Sequence, residues 1–310
     1  MDSKSFSPSR RKEGTMKKSE AIWVNIIATC CRLPQSHAEV RMELGVQLTR
    51  TPQQVLWLRE LSAVRFARRP VRHPKGDVEV MYSMSKLAIR GHQGEELPNT
   101  FFGQDGPSDH LAIVLPGLGY TVHMPVLYYP TRCLLSRGAD VLWVQYDYTN
   151  LSPQDIKQPG WRRRFGEDVD AAYEAGLAQR SYSGLSLVGK SLGTVAIAHL
   201  LARGSASQDP RLAEARCVWL TPLLRDEWIR EQISRAAQRS LAIIGTADPQ
   251  YEPDLLARCG LTKGAGSLEI PNANHSLEIE RDVPGSVRAM EQMVLTLEAF
   301  LQIQQGLEHA

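Results

Sequence analysis

Residues 185–194 of the chain read LSLVGKSLGT, and residues 195–202 continue as VAIAHLLA. The first four residues form a short apolar run, which is typical of a buried strand. The stretch from residue 194 to residue 203 is apolar on most sides and has no helix breaker before Gly204, so it predicts a buried helix. The pentapeptide GKSLG joins the two and predicts a tight turn with Ser191 at its centre.

Such a sharp turn constrains the residues that form it. Ser191 is expected to adopt a strained backbone conformation, and side chains at Gly189 or Gly193 would collide with the neighbouring strand and helix. The Ser191 hydroxyl should stand exposed above the sheet, and the Leu192 amide should lie at the helix start, where the dipole favours negative charge. A Gly-X-Ser-X-Gly pattern occurs by chance in about one in ten chains of this length, so an ordinary turn of small residues is the alternative.

The charge is distributed unevenly along the 310 residues, although 43% hydrophobic and 23% charged residues are typical of a globular protein. Residues 1–75 contain 15 Lys and Arg against 6 Asp and Glu, whereas the remainder contains 21 against 28. We therefore expect a basic, poorly ordered extension at residues 1–77 and a domain at residues 78–310. Residues 52–69 could instead form an amphipathic helix that contacts nucleic acid, a membrane surface or a partner, but they contain no nucleic-acid motif.

The beginning of the chain weakly resembles a secretory signal, because a basic region precedes the short apolar run at residues 21–31. Two glutamates interrupt the basic region and Asn25 interrupts the apolar run, which argues against a working signal. Met81 or Met84 could alternatively be the natural start, since both lie just before the first predicted strand.

The cysteines show no Cys-X-X-Cys spacing, no even framework and no zinc-site spacing. They predict reduced, mostly buried thiols in a reducing compartment, and hence a cytoplasmic location. No apolar run approaches the ~20 residues that are needed to span a bilayer. The five residues are Cys30, Cys31, Cys133, Cys217 and Cys259.

Strands and helices are predicted to alternate along the body of the chain. This order predicts an α/β fold, in which helices cover both faces of a mainly parallel sheet. An antiparallel hairpin comes first, at residues 85–90 and 95–102. The strands that follow are predicted at residues 111–115, 139–144, 185–188, 217–220, 241–245 and 268–270. Helices are predicted at residues 124–136, 162–178, 194–203, within 221–237 and at 287–303.

A serine nucleophile needs a base within hydrogen-bond reach and a carboxylate that orients the base. Three histidines follow Ser191 along the chain: His199, His275 and His309. His275 is the predicted base because it follows a strand on an Asn-rich turn, whereas the other two lie in a helix and at the terminus. The available aspartates are Asp209, Asp226, Asp248, Asp254 and Asp282. Asp248 is the predicted acid, because it directly follows a strand and lies between serine and histidine in the order.

Ligands of parallel sheets bind at the carboxyl ends of the strands, where these three side chains would meet. The loop PGLG at residues 116–119 follows the first parallel strand at the same edge. We expect its Leu118 amide, together with that of Leu192, to form an oxyanion hole. A plain glycine turn is the alternative.

The sequence resembles the α/β-hydrolases over residues 84–303. The similarity is carried by PGLG at 116–119, GKSLG at 189–193, GTAD at 245–248 and NHSLE at 274–278. The resemblance implies a nucleophile elbow and a serine hydrolase that acts through an acyl-enzyme, like the small bacterial members of the superfamily. Lys190 departs from the pattern, since many members have histidine there. The loop before Gly117 also lacks the histidine that many lipases have.

We expect a small-molecule acyl substrate, an ester or thioester, and no cofactor or metal. The same triad could instead serve acyl transfer or the hydrolysis of a lactone or a carbon–carbon bond, and the fold could also be a non-catalytic binding module. No large cap fits between residues 220 and 241, so an open pocket is expected. Its predicted walls are residues 123–124, 128–129, 150–161 and 222–228, although Tyr128 and Tyr129 could equally be core residues.

Overall fold

The computed structural model describes residues 82–146 and 160–307, with side chains described up to residue 302. A single sheet of eight strands lies at the centre of this part of the chain. In chain order the strands are β1 (Tyr82–Ser85), β2 (Asn99–Gln104), β3 (His110–Leu115), β4 (Asp140–Val144), β5 (Gly184–Lys190), β6 (Arg216–Leu220), β7 (Ser240–Gly245) and β8 (Ser267–Ile270).

Seven α-helices occur in the described residues, and most of them connect neighbouring strands. They are α1 (Pro125–Ser136), α2 (Trp161–Leu177), α3 (Leu192–Ser207), α4 (Pro210–Ala213), α5 (Glu227–Arg235), α6 (Pro253–Ala257) and α7 (Val283–Leu307). Short 3₁₀ turns occupy His92–Gly94 and Ala237–Arg239. The predicted alternation of strands and helices is confirmed.

The strands follow the order β1-β2-β4-β3-β5-β6-β7-β8 across the sheet. Strands β4, β3, β5, β6, β7 and β8 pair in parallel, whereas β1 and β2 are antiparallel to their neighbours. Strand β5, which precedes the serine, pairs with β3 and β6 in the middle of the sheet. Its carboxyl end therefore lies between the loops that follow β3 and β6.

Helices cover both faces of the sheet, as alternating side chains require. In β3, for example, Leu111 and Ile113 belong to one apolar cluster, and Ala112 and Val114 belong to the other. The first cluster contains side chains of α2, α3 and α5, and the second contains side chains of α1 and α7. The predicted mainly parallel, doubly covered sheet is confirmed.

The predicted hairpin has antiparallel strands, but the residues that form their regular backbone hydrogen bonds are not those predicted. β1 begins at Tyr82, and residues 86–90 keep only an isolated bridge between Arg90 and Glu96. The Asn99 side chain explains the gap, because its Oδ1 accepts the Leu87 N–H at 2.9 Å and its Nδ2 donates to the Leu87 carbonyl at 2.8 Å. A side-chain amide thus replaces a backbone partner, which periodicity does not reveal.

The last helix begins earlier than its hydrophobic pattern predicts, at Val283 rather than at residue 287. The Asp282 side chain accepts the Gly285 N–H at 2.8 Å, and its carbonyl accepts the Ser286 N–H at 2.9 Å. An aspartate at this position provides a partner for a free amide of the first turn and stabilises the additional residues.

The predictions for residues 1–77, for Met81 and for most of the wall at 150–161 fall outside the described residues. The boundary between residues 77 and 78 therefore stays a prediction. In the ranges 82–146 and 160–307, no helix is both long enough and apolar enough to cross a membrane. Between β6 and β7 the chain forms only α5 and a 3₁₀ turn, consistent with the absence of a large cap at this position.

Candidate active site

The three predicted catalytic side chains meet at the carboxyl edge of the sheet. Ser191 directly follows β5, Asp248 lies three residues after β7, and His275 lies five residues after β8. Strands β5, β6, β7 and β8 are parallel neighbours, so their carboxyl ends share one edge. Residues that are 84 and 27 positions apart along the chain thereby come into contact.

The serine lies on a strained turn between β5 and α3. Its φ of 52° and ψ of −110° lie outside the regions that non-glycine residues normally adopt. Hydrogen bonds hold the turn, because the Ser191 N–H donates to the Leu220 carbonyl at 3.0 Å and the Ser191 carbonyl accepts the Thr194 N–H at 2.9 Å. The strain predicted for Ser191 is present and is supported by both neighbouring elements.

The two glycines of the turn lie where a side chain has no room. A Cβ added to Gly189 would overlap the Gly193 carbonyl, and one added to Gly193 would overlap the Leu115 carbonyl oxygen. Both obstacles are backbone atoms, so a side chain could fit only if a strand or a helix moved. The turn therefore needs glycine at both positions for steric reasons.

A continuous hydrogen-bond chain links the three side chains. His275 Nε2 lies 2.8 Å from Ser191 Oγ, and His275 Nδ1 lies 2.7 Å from Asp248 Oδ2. The Asp248 side chain is fully buried, whereas that of His275 is 35% exposed. This arrangement can chemically remove the serine proton with the imidazole and stabilise the resulting cation with the carboxylate.

Two loops orient Asp248 and His275 through hydrogen bonds that were not predicted. Asp248 Oδ1 accepts the Gln250 N–H at 2.9 Å, so both carboxylate oxygens have partners. Asn274 Oδ1 accepts the N–H groups of Ser276 and Glu278, at 2.8 and 3.1 Å, and so shapes the loop that carries His275. An asparagine just before His275 is a sequence signal that could have identified this turn, since Asn side chains commonly bond to the backbone two residues on.

The rival aspartates have other partners or positions. Asp209 and Asp226 accept N–H groups at the starts of α4 and α5, and Asp282 caps α7. Asp254 is exposed in the first turn of α6.

Of the two rival histidines, the structure describes only His199. His199 pairs with Asp170 at 3.0 Å, as a helix residue at the surface would, and His309 falls beyond the described residues. The side chain of Asp170 also binds Arg203, so this cluster connects α2 with α3.

A cavity of about 310 Å³ lies beside the serine and contains both predicted oxyanion donors among its lining residues. The loop after β3, residues 116–123, forms one wall, and Leu192 forms part of another. Leu192 is the first residue of α3, so its N–H has no partner within the helix. Leu118 and Leu192 thus border one cavity, and Ser191 directly precedes Leu192 in the chain.

The predicted pocket walls are only partly present. His123 lines the cavity, whereas the side chains of Tyr128 and Tyr129 are exposed on α1 and lie outside both the cavity wall and the core. Residues 222–228 are likewise not among the described lining residues. Tyr146 was not predicted; it lines the cavity and donates a hydrogen bond to the Pro116 carbonyl at 2.9 Å.

Lys190 is buried, although it immediately precedes Ser191 in the turn. It is 2% exposed, and its ammonium lies 4.5 Å from the centre of the Tyr120 ring. Burial lowers the pKa of Lys190 to about 8, and the negative charge of Asp248 opposes part of this shift. The charge of this residue therefore lies beneath the loop after β3 rather than in the cavity.

Among the described residues, no group of three or more His, Cys, Asp and Glu side chains is arranged to hold a metal ion. A separate cavity of about 290 Å³ lies between residues 91–98 and the start of α2. Tyr146 lines this cavity as well as the one beside Ser191.

No protein-family model and no curated protein matches the sequence. Solved structures do match. A protein of unknown function from Agrobacterium tumefaciens, described as an α/β hydrolase, is 17% identical with a TM-score of 0.53; the match covers 71% of this chain and 97% of that chain. Est1E from Butyrivibrio proteoclasticus is 12% identical with a TM-score of 0.50; the match covers 73% of this chain and 99% of that chain. With its eight-stranded, mainly parallel sheet and this structural similarity, the chain has the fold of the α/β-hydrolase superfamily.

Proposed function

We propose that the protein is a serine hydrolase that cleaves a carboxylic ester or thioester through an acyl-enzyme on Ser191. The observation that carries the proposal is the hydrogen-bond chain from Ser191 through His275 to the buried Asp248. A turn with only a structural role would need none of these three side chains. Chance rarely places an imidazole 2.7 Å from a carboxylate and 2.8 Å from a serine hydroxyl beside a cavity.

In the first half of the reaction, Ser191 Oγ attacks the carbonyl carbon while His275 Nε2 takes the hydroxyl proton. The carbonyl oxygen becomes an oxyanion, which the N–H groups of Leu118 and Leu192 stabilise. The carbonyl re-forms when the bond to the leaving group breaks. His275 returns the proton to that group, so that an alcohol or a thiol departs and an ester to Ser191 remains.

In the second half, water replaces the leaving group. The water oxygen attacks the acyl carbon while His275 takes a proton from the water. The N–H groups of Leu118 and Leu192 stabilise the second oxyanion. Collapse of this intermediate breaks the bond to Ser191, which regains its proton from His275, and the carboxylic acid is released. The cavity volume lies at the lower end of the range for ligand pockets, so we expect short acyl groups to react fastest.

A fluorophosphonate probe tests the proposal, because it reacts with activated serine hydroxyls. The variants are Ser191→Ala and, as the matched control, Ser207→Ala, which removes an exposed hydroxyl from the same helix α3. We expect the wild-type chain and the control to be labelled and the Ser191→Ala variant to remain unlabelled. A folded wild-type chain that is not labelled, or equal labelling of all three proteins, would contradict the proposal. Hydrolysis of p-nitrophenyl acetate, butyrate and octanoate, compared with an acetyl thioester, then gives the leaving-group and chain-length preference.

A further inference from the structure

Lys190 carries a charge in an unusual place. It ends β5 and precedes the nucleophile, and at 2% exposure it is as buried as many core residues. Burying an ammonium costs free energy unless neighbouring groups compensate for the lost hydration. Many apolar residues would fill this position without that cost, so the contacts of the side chain indicate what its charge does.

The side chain of Lys190 contacts the loop that carries a predicted oxyanion donor. Its ammonium faces the Tyr120 ring at 4.5 Å, within the range of a cation–π interaction. Its aliphatic part packs beneath Gly117: a methyl group added to that glycine would lie 3.4 Å from Lys190 Cδ and 3.3 Å from Ser191 Cβ. Lys190 thus touches both ends of the segment 117–120, at whose centre lies Leu118.

Tyr120 is itself held from its other side. Its hydroxyl oxygen accepts the Val126 N–H at 3.2 Å, at the start of α1, and its own N–H donates to the Gly117 carbonyl at 3.3 Å. Burial raises the pKa of Tyr120 to about 12, so the ring stays a neutral phenol throughout the working range. The ring therefore offers a fixed, electron-rich face to which the ammonium can bind.

We propose that Lys190 is a positioning residue: its cationic side chain binds Tyr120 and supports Gly117, and so holds the Leu118 amide in place over Ser191. This inference rests on the proposed function, since an oxyanion donor matters only if Ser191 attacks a carbonyl. Lys190 lies between Gly189 and Ser191 of the turn. Its proposed role is separate from the hydrogen bonds that link Ser191, His275 and Asp248.

Protonation of Lys190 gives the proposal a pH signature. Two charged groups act on the pair: Asp248 after β7 acts on Lys190, and Glu278 acts on Tyr120. His275 contacts Asp248 from the other side of the triad. Because the folded pKa of Lys190 is about 8, below its ordinary value of 10.5, the ammonium and its attraction to the ring are lost as the pH rises through 8. We therefore expect kcat to fall on this alkaline side.

The stability of the folded chain should instead increase as the pH rises through the same range. Between pH 8 and 10.5 the unfolded chain binds more protons at this residue than the folded chain, so its contribution to stability becomes more favourable as the pH rises. A side chain that served only stability would not lower kcat over the same window, and the two measurements separate the roles.

The test uses steady-state hydrolysis of p-nitrophenyl acetate from pH 6 to 10. Lys190→Met keeps an unbranched chain of similar length and removes the charge, and Lys263→Met removes an exposed lysine as the control. Complete loss of an oxyanion donor costs about 10²–10³ in kcat, so a loosened donor should cost about tenfold at pH 7, with KM within twofold. The alkaline fall near pH 8 should be present in the wild type and the control and absent in Lys190→Met.

A double-mutant cycle with Tyr120→Leu tests the contact itself. If Lys190 acts through the ring, the second substitution should lower kcat less than twofold once the first is present. Additive losses, or a Lys190→Met variant with wild-type kcat and an intact alkaline fall, would overturn the proposal and leave the hydrolase assignment standing. A folded wild type that neither reacts with the fluorophosphonate nor hydrolyses esters would overturn both.

Discussion

Replacement of Asp248 by asparagine isolates the role of the buried carboxylate, because the two side chains have nearly the same shape. One carboxylate oxygen accepts the Gln250 N–H at 2.9 Å, and the other faces His275 Nδ1 at 2.7 Å. An asparagine has only one acceptor oxygen, which the Gln250 N–H requires. Its NH₂ group should therefore face His275.

An NH₂ donor opposite Nδ1 reverses the tautomer of the base. Nδ1 must then accept, Nε2 carries the proton, and Nε2 can no longer take the proton of Ser191 Oγ. In triads of this geometry the loss amounts to about 10⁴-fold in kcat, which corresponds to about 5.5 kcal/mol of activation free energy. Binding of the ester does not involve this group, so we expect KM to change little.

The assay combines kcat for p-nitrophenyl acetate with the rate of fluorophosphonate labelling, and both should fall in Asp248→Asn. Asp254→Asn is the matched control, because it removes an exposed carboxylate from the same segment of the chain. Unfolding in urea checks that the variant is folded. A loss of less than tenfold in a folded Asp248→Asn variant, or an equal loss in the control, would refute the assignment of the acid.

Two further predictions concern packing. Gly193→Ala should destabilise the fold by about 3 kcal/mol or more in urea unfolding, since the new methyl group would overlap a backbone carbonyl, whereas Gly106→Ala, where nothing lies within 4 Å, should change stability by less than about 0.5 kcal/mol. The described cysteine thiols should react with iodoacetamide at pH 7.5 only as fast as the chain unfolds, because burial raises their pKa values to about 12, 12 and 11; labelling in seconds by excess reagent without denaturant would disprove this. These thiols are Cys133, Cys217 and Cys259.

Much of the fold could be predicted because its central strands are buried on both faces and therefore appear as continuous apolar runs. Strand β7, for instance, is apolar or small along its whole length after Ser240, and no residue of it is exposed. The edge hairpin was harder to predict. The regular strand pairing is interrupted because the Asn99 side chain bonds to the backbone of another segment. Such a contact produces no periodic pattern along the sequence.

The contact of Asp248 and His275 with Ser191 could be predicted from the sequence because Asp248 and His275 each follow a strand, and parallel strands bring their carboxyl ends together. The choice of Asp248 over Asp254, only six residues later, depended on that position. The surrounding hydrogen bonds could not be selected in the same way. The contact of Gln250 with Asp248 exists because the loop turns back on itself after the acid.

The local sequence pattern thus determined the alternation of strands and helices, the need for glycines in the turn and the position of Ser191 at its centre. These features depend on steric rules that act within a few residues. The tertiary structure alone decided which way Lys190 points. Its strand is buried on both sides, and the position of the loop after β3 places the Tyr120 ring 4.5 Å from the ammonium. The surroundings of a charge depend on segments that are distant along the chain, and these become neighbours only when the sheet assembles.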